Sequence, residues 1–597
     1  MFTITIAISI IVFVAVGNYA GRSVKKLDDY FVAGRRAPTL LIVGTLVASV
    51  FSTSIFLGEA GFTYDGQLGP YMLFPGIAVI GYIYGALFFG AYLRRSRAPT
   101  VADFFGQRFN NRRVQQAAGF TIIMGLGGYL LVVTQGAAIL LTELTDLTYT
   151  QGIILAWLSY TTFTMYSGSQ GVIITDTLMF LLFTVATVFF AFYVIDGLGG
   201  VTTMVENLAQ MESKPDIASW HGTVGPGTEW PTPMDYLIWT IIIDTSWGVV
   251  YAVSPWQSSR HLMARNEHVV LRAAIYACLV VIFMQFLIYG LGGFINLANP
   301  NISPSETVMI WAAKNLVPEA LGALLLAGIM AAALSSASTF LSLVGFSVSN
   351  DMIPSNKELT LRKTRIVMFF TGVIVLITSF FFPPNVFWLM LFVGTVFASS
   401  WGPVGFMSIW SKRITADAAF WGIVTGFIFN VVPAALEYFG YVTWPSYANP
   451  AVLGAAASII TILVVSRMGR VSRAEALYRM RLHRTPEIDF DLKQVRITLL
   501  APCCLIIYGC TMPFLLIYYY VIPYQTGASE LLDDGSLNWA TGEVVLALSY
   551  PFIYVFLGVL GIVLIWRRYS PQAGKKARTQ RRRANGVAES TRRRIST

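Results

Sequence analysis

Apolar runs long enough to cross a bilayer recur along almost the whole of this chain, and no other feature limits its fold so severely. The runs at 2–20, 70–93, 271–297 and 543–566 each reach the roughly 20 helical residues that span a hydrocarbon core about 30 Å thick. In that solvent every backbone amide and carbonyl needs an internal partner, which predicts an all-α polytopic membrane protein. Reading all the runs in order predicts about 15 transmembrane helices. They fall at 2–20, 39–63, 70–93, 117–142, 149–168, 170–195, 233–257, 271–297, 318–348, 367–383, 385–410, 416–436, 449–466, 495–522 and 543–566. Composition agrees, since 55% of the residues are hydrophobic and only 12% charged, against about 25% charged in an ordinary soluble domain.

The formal charge of +10 does not point to nucleic acid, because the basic residues fall in short loops between apolar runs and in the tail. Placing the N-terminus outside puts Arg22, Lys25, Lys26, Arg35 and Arg36 in the cytoplasm, with Arg94, Arg95, Arg97, Arg108, Arg112 and Arg113. Arg260, Arg265, Arg272, Arg362, Lys363 and Arg365 follow on the same side, while the loops at 196–232 and 523–542 carry acidic residues and little base. That asymmetry predicts a multi-pass protein of a bacterial-type inner (plasma) membrane, N-terminus outside and C-terminus cytoplasmic. The first run has no basic segment before it and no small-residue cleavage site after it, so it reads as a spanning helix, not a signal peptide.

The segment from Tyr569 to Thr597 is rich in Lys and Arg and nearly free of apolar residues, which reads as a disordered tail. A solvated topology anchor is the favoured role for such a tail, and attraction to anionic membrane lipid is the alternative. Cys278, Cys503, Cys504 and Cys510 all lie in apolar stretches without a CxxC pair, which argues against a disulfide framework or zinc site. His221, His261, His268 and His483 fall in predicted loops, and no Ser/His/Asp or metal constellation is apparent, so an enzyme is not expected. No organic cofactor is expected either.

Two spans carry oxygen where lipid-facing helices would carry leucine. In the second, Ser49, Ser52, Thr53 and Ser54 lie among Gly58 and Gly61, so the helix is expected to be interrupted, and a cation in a protein-lined cavity can satisfy the freed carbonyls. Close packing through small residues is the competing reading. In the ninth, Ala332, Ser335, Ser336 and Thr339 share one helical face. The Ala332 carbonyl and two serine hydroxyls would be hard, neutral ligands suited to an alkali cation, although a packing face is again the alternative. Asp176 and Asp244 are carboxylates within apolar spans and therefore candidate functional groups. For Asp176 the alternative is a solvated helix entry. Asp244 could meet a cationic group of a solute, a proton or an ion, or line a vestibule.

These residues resemble the sodium:solute symporter family, whose members include proline, pantothenate, sialic acid, monocarboxylate and sugar transporters. The resemblance extends over about residues 1–440. It rests on Asp28-Asp29-Tyr30-Phe31-Val32-Ala33-Gly34-Arg35, on Phe51-Ser52 through Phe56-Leu57-Gly58, and on Ser169-Gln170-Gly171-Val172 to Thr175-Asp176. Pro255-Trp256-Gln257 with Arg260 and Ala264, and Ala332-x-x-Ser335-Ser336, complete it in order. Ser169 departs from the family glycine.

The resemblance implies a five-plus-five inverted-repeat core with flanking helices. It divides the chain into an N-terminal helix and first cytoplasmic loop (1–38), a transport core (39–410), additional C-terminal helices (411–566) and a basic tail (567–597). It also implies a Na+ site made by the carbonyls of Ala48, Phe51 and Ala332 and the hydroxyls of Ser335 and Ser336. A second sodium would use Asp176, Ser338 and Thr339. Ser52, Ser54, Gln135, Asp244 and Trp247 mark the expected solute path. Ser54 and Ile55 stand where sugar transporters of the family carry polar side chains, which favours an amino acid, carboxylate or zwitterionic osmolyte. The expected activity is sodium-coupled symport of a small organic solute by alternating access, in a chain acting as a monomer. A membrane solute sensor on the same fold is the alternative, and a channel is disfavoured by the absence of charge rings or a repeated carbonyl filter.

Overall fold

The computed structural model describes residues 1–72, 74–353, 359–382 and 385–575. Among the described residues the only regular structure besides helix is an isolated bridge between Ala37 and Ala264. Twelve helices among the described residues are long and apolar enough to cross a membrane. The expected count of about 15 is therefore not recovered as separate apolar helices, and three segments account for the difference. Thr39–Ala48 stops after 10 residues because the helix breaks there. Leu361–Ser379 carries Arg362, Lys363 and Arg365 near its start, which lowers its apolar character. Tyr149–Gly197 runs through two expected spans as one 49-residue element.

That element would be about 73 Å long if straight, more than twice a hydrocarbon core. It is divided at Gly168, whose φ of 52° and ψ of −151° lie outside the helical region. The position demands glycine for a second reason: an added Cβ would sit 2.5 Å from the Tyr30 ring. Tyr30 itself donates to the Met165 carbonyl at 2.6 Å, which fixes the first loop against the bend.

Close contacts through small residues bring the core helices together, as expected where apolar lipid gives no hydrophobic drive for association. A Cβ on Gly44 would meet Thr177, and one on Gly328 would lie 3.1 Å from the Phe183 backbone. Both Thr39–Ala48 and Glu319–Phe346 are thereby held against the half of Tyr149–Gly197 that carries Asp176.

The basic loops gather at one end of the bundle. Arg35 donates to the Arg97 carbonyl (2.9 Å), Arg112 to that of Ile353 (2.7 Å) and Arg365 to that of Tyr166 (2.7 Å). At the other end Lys214 donates to the Tyr64 carbonyl (2.7 Å), and Glu543 accepts from the Trp220 amide (2.8 Å). Arg260 is a correction: expected in a cytoplasmic loop, it is 1% exposed on the helix Pro255–Met263, inside the bundle. His261 is buried on that same helix, and His268 lies in the first turn of Glu267–Phe294, so neither occupies the expected loop.

The last helix, Gly542–Tyr569, braces the core. Tyr554 donates to the carbonyls of Pro75 (2.9 Å) and Gly76 (3.0 Å), and Arg568 to that of Leu87 (3.1 Å). Arg95 forms a two-pronged ion pair with Glu267 at 2.5 and 2.6 Å, and Tyr569 donates to the same carboxylate at 2.6 Å. The last helix runs to Tyr569, three residues past the expected span. Of the basic tail expected to be disordered from Tyr569, residues 571–575 are helical, and the part from 576 onward lies outside the described residues.

Asp489, in the short helix Glu487–Phe490 beside this brace, is pushed up to about 7 by burial and by the Glu267 carboxylate, against the opposing pull of Arg95. Unfolded, the same carboxyl releases its proton near 4. The folded state therefore holds more protons between about pH 4 and 7, so this group favours folding in acid and that benefit is lost as pH rises through the window. The unfolding temperature of the detergent-purified protein should fall between pH 5 and 7.5 through this group, and Asp489→Asn should flatten the slope. An unchanged slope in the variant would assign the effect elsewhere.

Candidate ion and solute site

The second span ends its first helix at Ala48, continues irregularly, and resumes as a π-helical stretch at Ser54–Glu59. The interruption expected from the Ser/Thr/Gly pattern is present. It frees the carbonyls of Ala48 and Phe51, and these meet the hydroxyls of the helix Glu319–Phe346. Ser336 Oγ lies 3.1 Å from the Phe51 carbonyl and 3.5 Å from that of Ala48, and Ser335 Oγ lies 3.3 Å from the Ala48 carbonyl. All four residues are fully buried. Ala332, equally buried, precedes Ser336 by one turn on the same face.

Asp176 sits behind this cluster and not at a solvated helix entry, for it is 0% exposed. One carboxylate oxygen accepts from Ser335 (2.7 Å) and the other from Thr45 (2.6 Å). The proton that Ser335 gives to Asp176 leaves the hydroxyl lone pairs free to turn towards the Ala48 side. Asp176 thus orients an oxygen of the first cluster. It also pairs with Arg260 Nη2 at 3.4 Å, and the same nitrogen donates to Thr339 Oγ1. Ser338 does not join them, since its hydroxyl donates to the Ser335 carbonyl at 2.8 Å. Of the residues expected to hold a second sodium, Asp176 and Thr339 lie together, hydrogen-bonded to each other and both reached by the Arg260 guanidinium, while the Ser338 hydroxyl turns to its own helix.

Around the expected solute path, Ser52 Oγ accepts from the Ser54 amide at 3.1 Å, and Ser54 Oγ is buried without a partner. Gln135 donates to the Phe382 carbonyl at 2.7 Å. Asp244 and Trp247 share one face of Pro233–Val253, and neither Asp244 oxygen nor Trp247 Nε1 has a partner. Glu59, 3% exposed, is the acidic neighbour of Asp244 and accepts from the Tyr289 hydroxyl. Sequence reasoning missed Glu59, although the rule that singled out Asp244, a carboxylate in an apolar run, applied to it equally. The Pro255-Trp256-Gln257 element also proves to be part of the site. Gln257 donates to Ser49 Oγ (3.3 Å) and accepts from the Tyr82 hydroxyl (3.1 Å).

The Sodium:solute symporter family model matches residues 30–426. The sodium/pantothenate symporter of Escherichia coli (strain K12) is 23% identical over 462 residues, covering 74% of this chain and 91% of its own. The sodium/proline symporter of Salmonella typhimurium (strain LT2) is 23% identical over 456 residues, covering 72% and 87%. Among solved structures, a substrate-bound, outward-open Na+-coupled sialic acid symporter superimposes with a TM-score of 0.66 at 18% identity, over 79% of this chain and 98% of that one. That likeness establishes a shared transporter fold.

Proposed function

This chain belongs to the sodium:solute symporter family, and from that premise we propose a particular ion site, orientation and solute class for its sodium-coupled symport of a small solute. The ion site is formed by the carbonyls of Ala48, Phe51 and Ala332 and the hydroxyls of Ser335 and Ser336. The observation that carries it is the approach of Ser336 Oγ to within 3.1 Å of the freed Phe51 carbonyl, with Ser335 beside Ala48. Neutral hard oxygens suit an alkali cation and bind it reversibly.

Because the carbonyls belong to one helix and the hydroxyls to another, the site exists only while the two are in register. Sodium binding favours the conformation that keeps them so, and any motion that parts the helices releases the ion. Such preference for one state is what coupling requires, since equal affinity for both would shift no population. With the N-terminus outside, sodium enters from the extracellular side and is released to the cytoplasm.

Sodium on the Asp176, Ser338 and Thr339 set requires Arg260 to withdraw, because its guanidinium already supplies a positive charge there. The solute is an amino acid, carboxylate or zwitterionic osmolyte in preference to a sugar, passing Ser52, Ser54, Gln135, Asp244 and Trp247.

Sodium chloride titrated into the purified full-length protein should raise its unfolding temperature, whereas potassium chloride at equal ionic strength should not, because only a ligand of the folded state stabilises it. Equal responses to both salts would refute a selective sodium site.

A further inference from the structure

We infer that the solute bears a positive charge, an ammonium or guanidinium, received between Glu59 and Asp244. This rests on the symport reading above and narrows its solute class. Glu59 comes from the broken second span and Asp244 from Pro233–Val253, and they are 3% and 0% exposed. Two carboxyls this deep in a membrane protein normally have a basic partner or a bound cation. Here, among the described residues, none of the ion pairs includes either one. The buried arginines that form ion pairs are engaged elsewhere, Arg260 with Asp176 and Arg95 with Glu267.

The groups around the pair are arranged to receive a ligand. Glu59 accepts from Tyr289, whose hydroxyl accepts from Gln285 Nε2 at 2.9 Å, so one intervening hydroxyl links the Gln285 amide to the carboxyl. Its remaining oxygen, Gln285 Oε1, is fully buried with no partner, and both oxygens of Asp244 and the Trp247 indole nitrogen share that condition. Four unsatisfied polar atoms in one neighbourhood are costly unless something polar completes them.

The walls are aromatic. Tyr71 and Tyr289 pack at 5.3 Å between ring centres, and Trp247 and Tyr251 at 5.9 Å. Phe62, stacked on Phe387 at 4.3 Å, packs against Tyr71 at 4.8 Å and extends the aromatic wall. Ring faces attract cations and tolerate methyl groups, whereas they offer nothing to a bare carboxylate. A solute whose only charge is negative would also face two carboxyls. The alternative occupant of the pair is a proton on each carboxyl, which would make the site neutral and proton-carrying.

Purified full-length protein in detergent, with saturating sodium, is titrated with choline, betaine and putrescine, and with 3,3-dimethylbutanol, acetate and glucose as probes lacking an ammonium. The expected result is thermal stabilisation by at least one ammonium probe and by none of the last three. Glu59→Gln and Asp244→Asn should each weaken that binding by about tenfold to a hundredfold, the loss of one charge-assisted contact. Both variants should retain the stabilisation by sodium alone, which shows that they are folded. The inference is overturned if no ammonium probe binds, if dimethylbutanol binds as well as choline, or if the two variants bind as tightly as the parent. Loss of the sodium response in the parent protein would instead overturn the symport reading itself.

Discussion

Replacing Ser335 and Ser336 together by alanine is expected to raise the sodium concentration for half-maximal stabilisation by about a hundredfold or more. Each contact between a hydroxyl and a charged ligand contributes about 1.5 kcal/mol at the low end, so two contribute about 3 kcal/mol, equivalent to a factor of about 150. The effect should be larger than either single change implies, because Ser335 also donates to Asp176 at 2.7 Å and its removal leaves a carboxylate oxygen short of a donor. Ser342→Ala is the matched control. That hydroxyl is buried in the same helix but donates to the Thr339 carbonyl at 2.8 Å, away from the broken span, and its loss should leave the sodium titration unchanged. A double variant that titrates like the parent would remove these serines from the ion site.

The second large effect concerns stability. Arg260→Met leaves the buried Asp176 carboxyl without its counter-charge, and breaking a buried pair by removing one partner costs about 3–5 kcal/mol. Converting Asp176→Asn as well removes the stranded carboxyl, so the double variant should regain most of the loss. A cycle in which the two single losses simply add would show that the 3.4 Å approach contributes no coupling. Chemical unfolding in detergent reads all four corners. Because Asp176 orients Ser335, the same cycle repeated with and without sodium also reads how far the ion pair and the ion site depend on each other.

Much of the architecture was legible because a bilayer imposes a simple length rule, and the break near Ala48 was legible because Ser49, Ser52, Thr53 and Ser54 cannot all face lipid. The match of carbonyls from one span to Ser335 and Ser336 of another was not legible from periodicity alone, since each segment read equally well as a small-residue packing face. It was the family resemblance that paired them. Arg260 shows the opposite failure. A basic residue a few positions after a proline reads as a loop residue by charge, and only tertiary structure shows that Pro255–Met263 is an inserted, buried helix. The bracing by Tyr554 and Tyr569 escaped for the same reason, because polar tips on apolar spans carry no mark of their distant partners. Glu59 could have been found, and was passed over among the small residues around it.

Sodium coupling is tested most directly by uptake into proteoliposomes that contain the full-length protein and potassium inside, with labelled proline, pantothenate, betaine, choline, acetate and glucose offered outside. An inward sodium gradient should drive at least one of these solutes above its external concentration, and a sodium ionophore should release it. Accumulation that is the same with potassium on both sides, or none of any solute under a sodium gradient, would contradict the account.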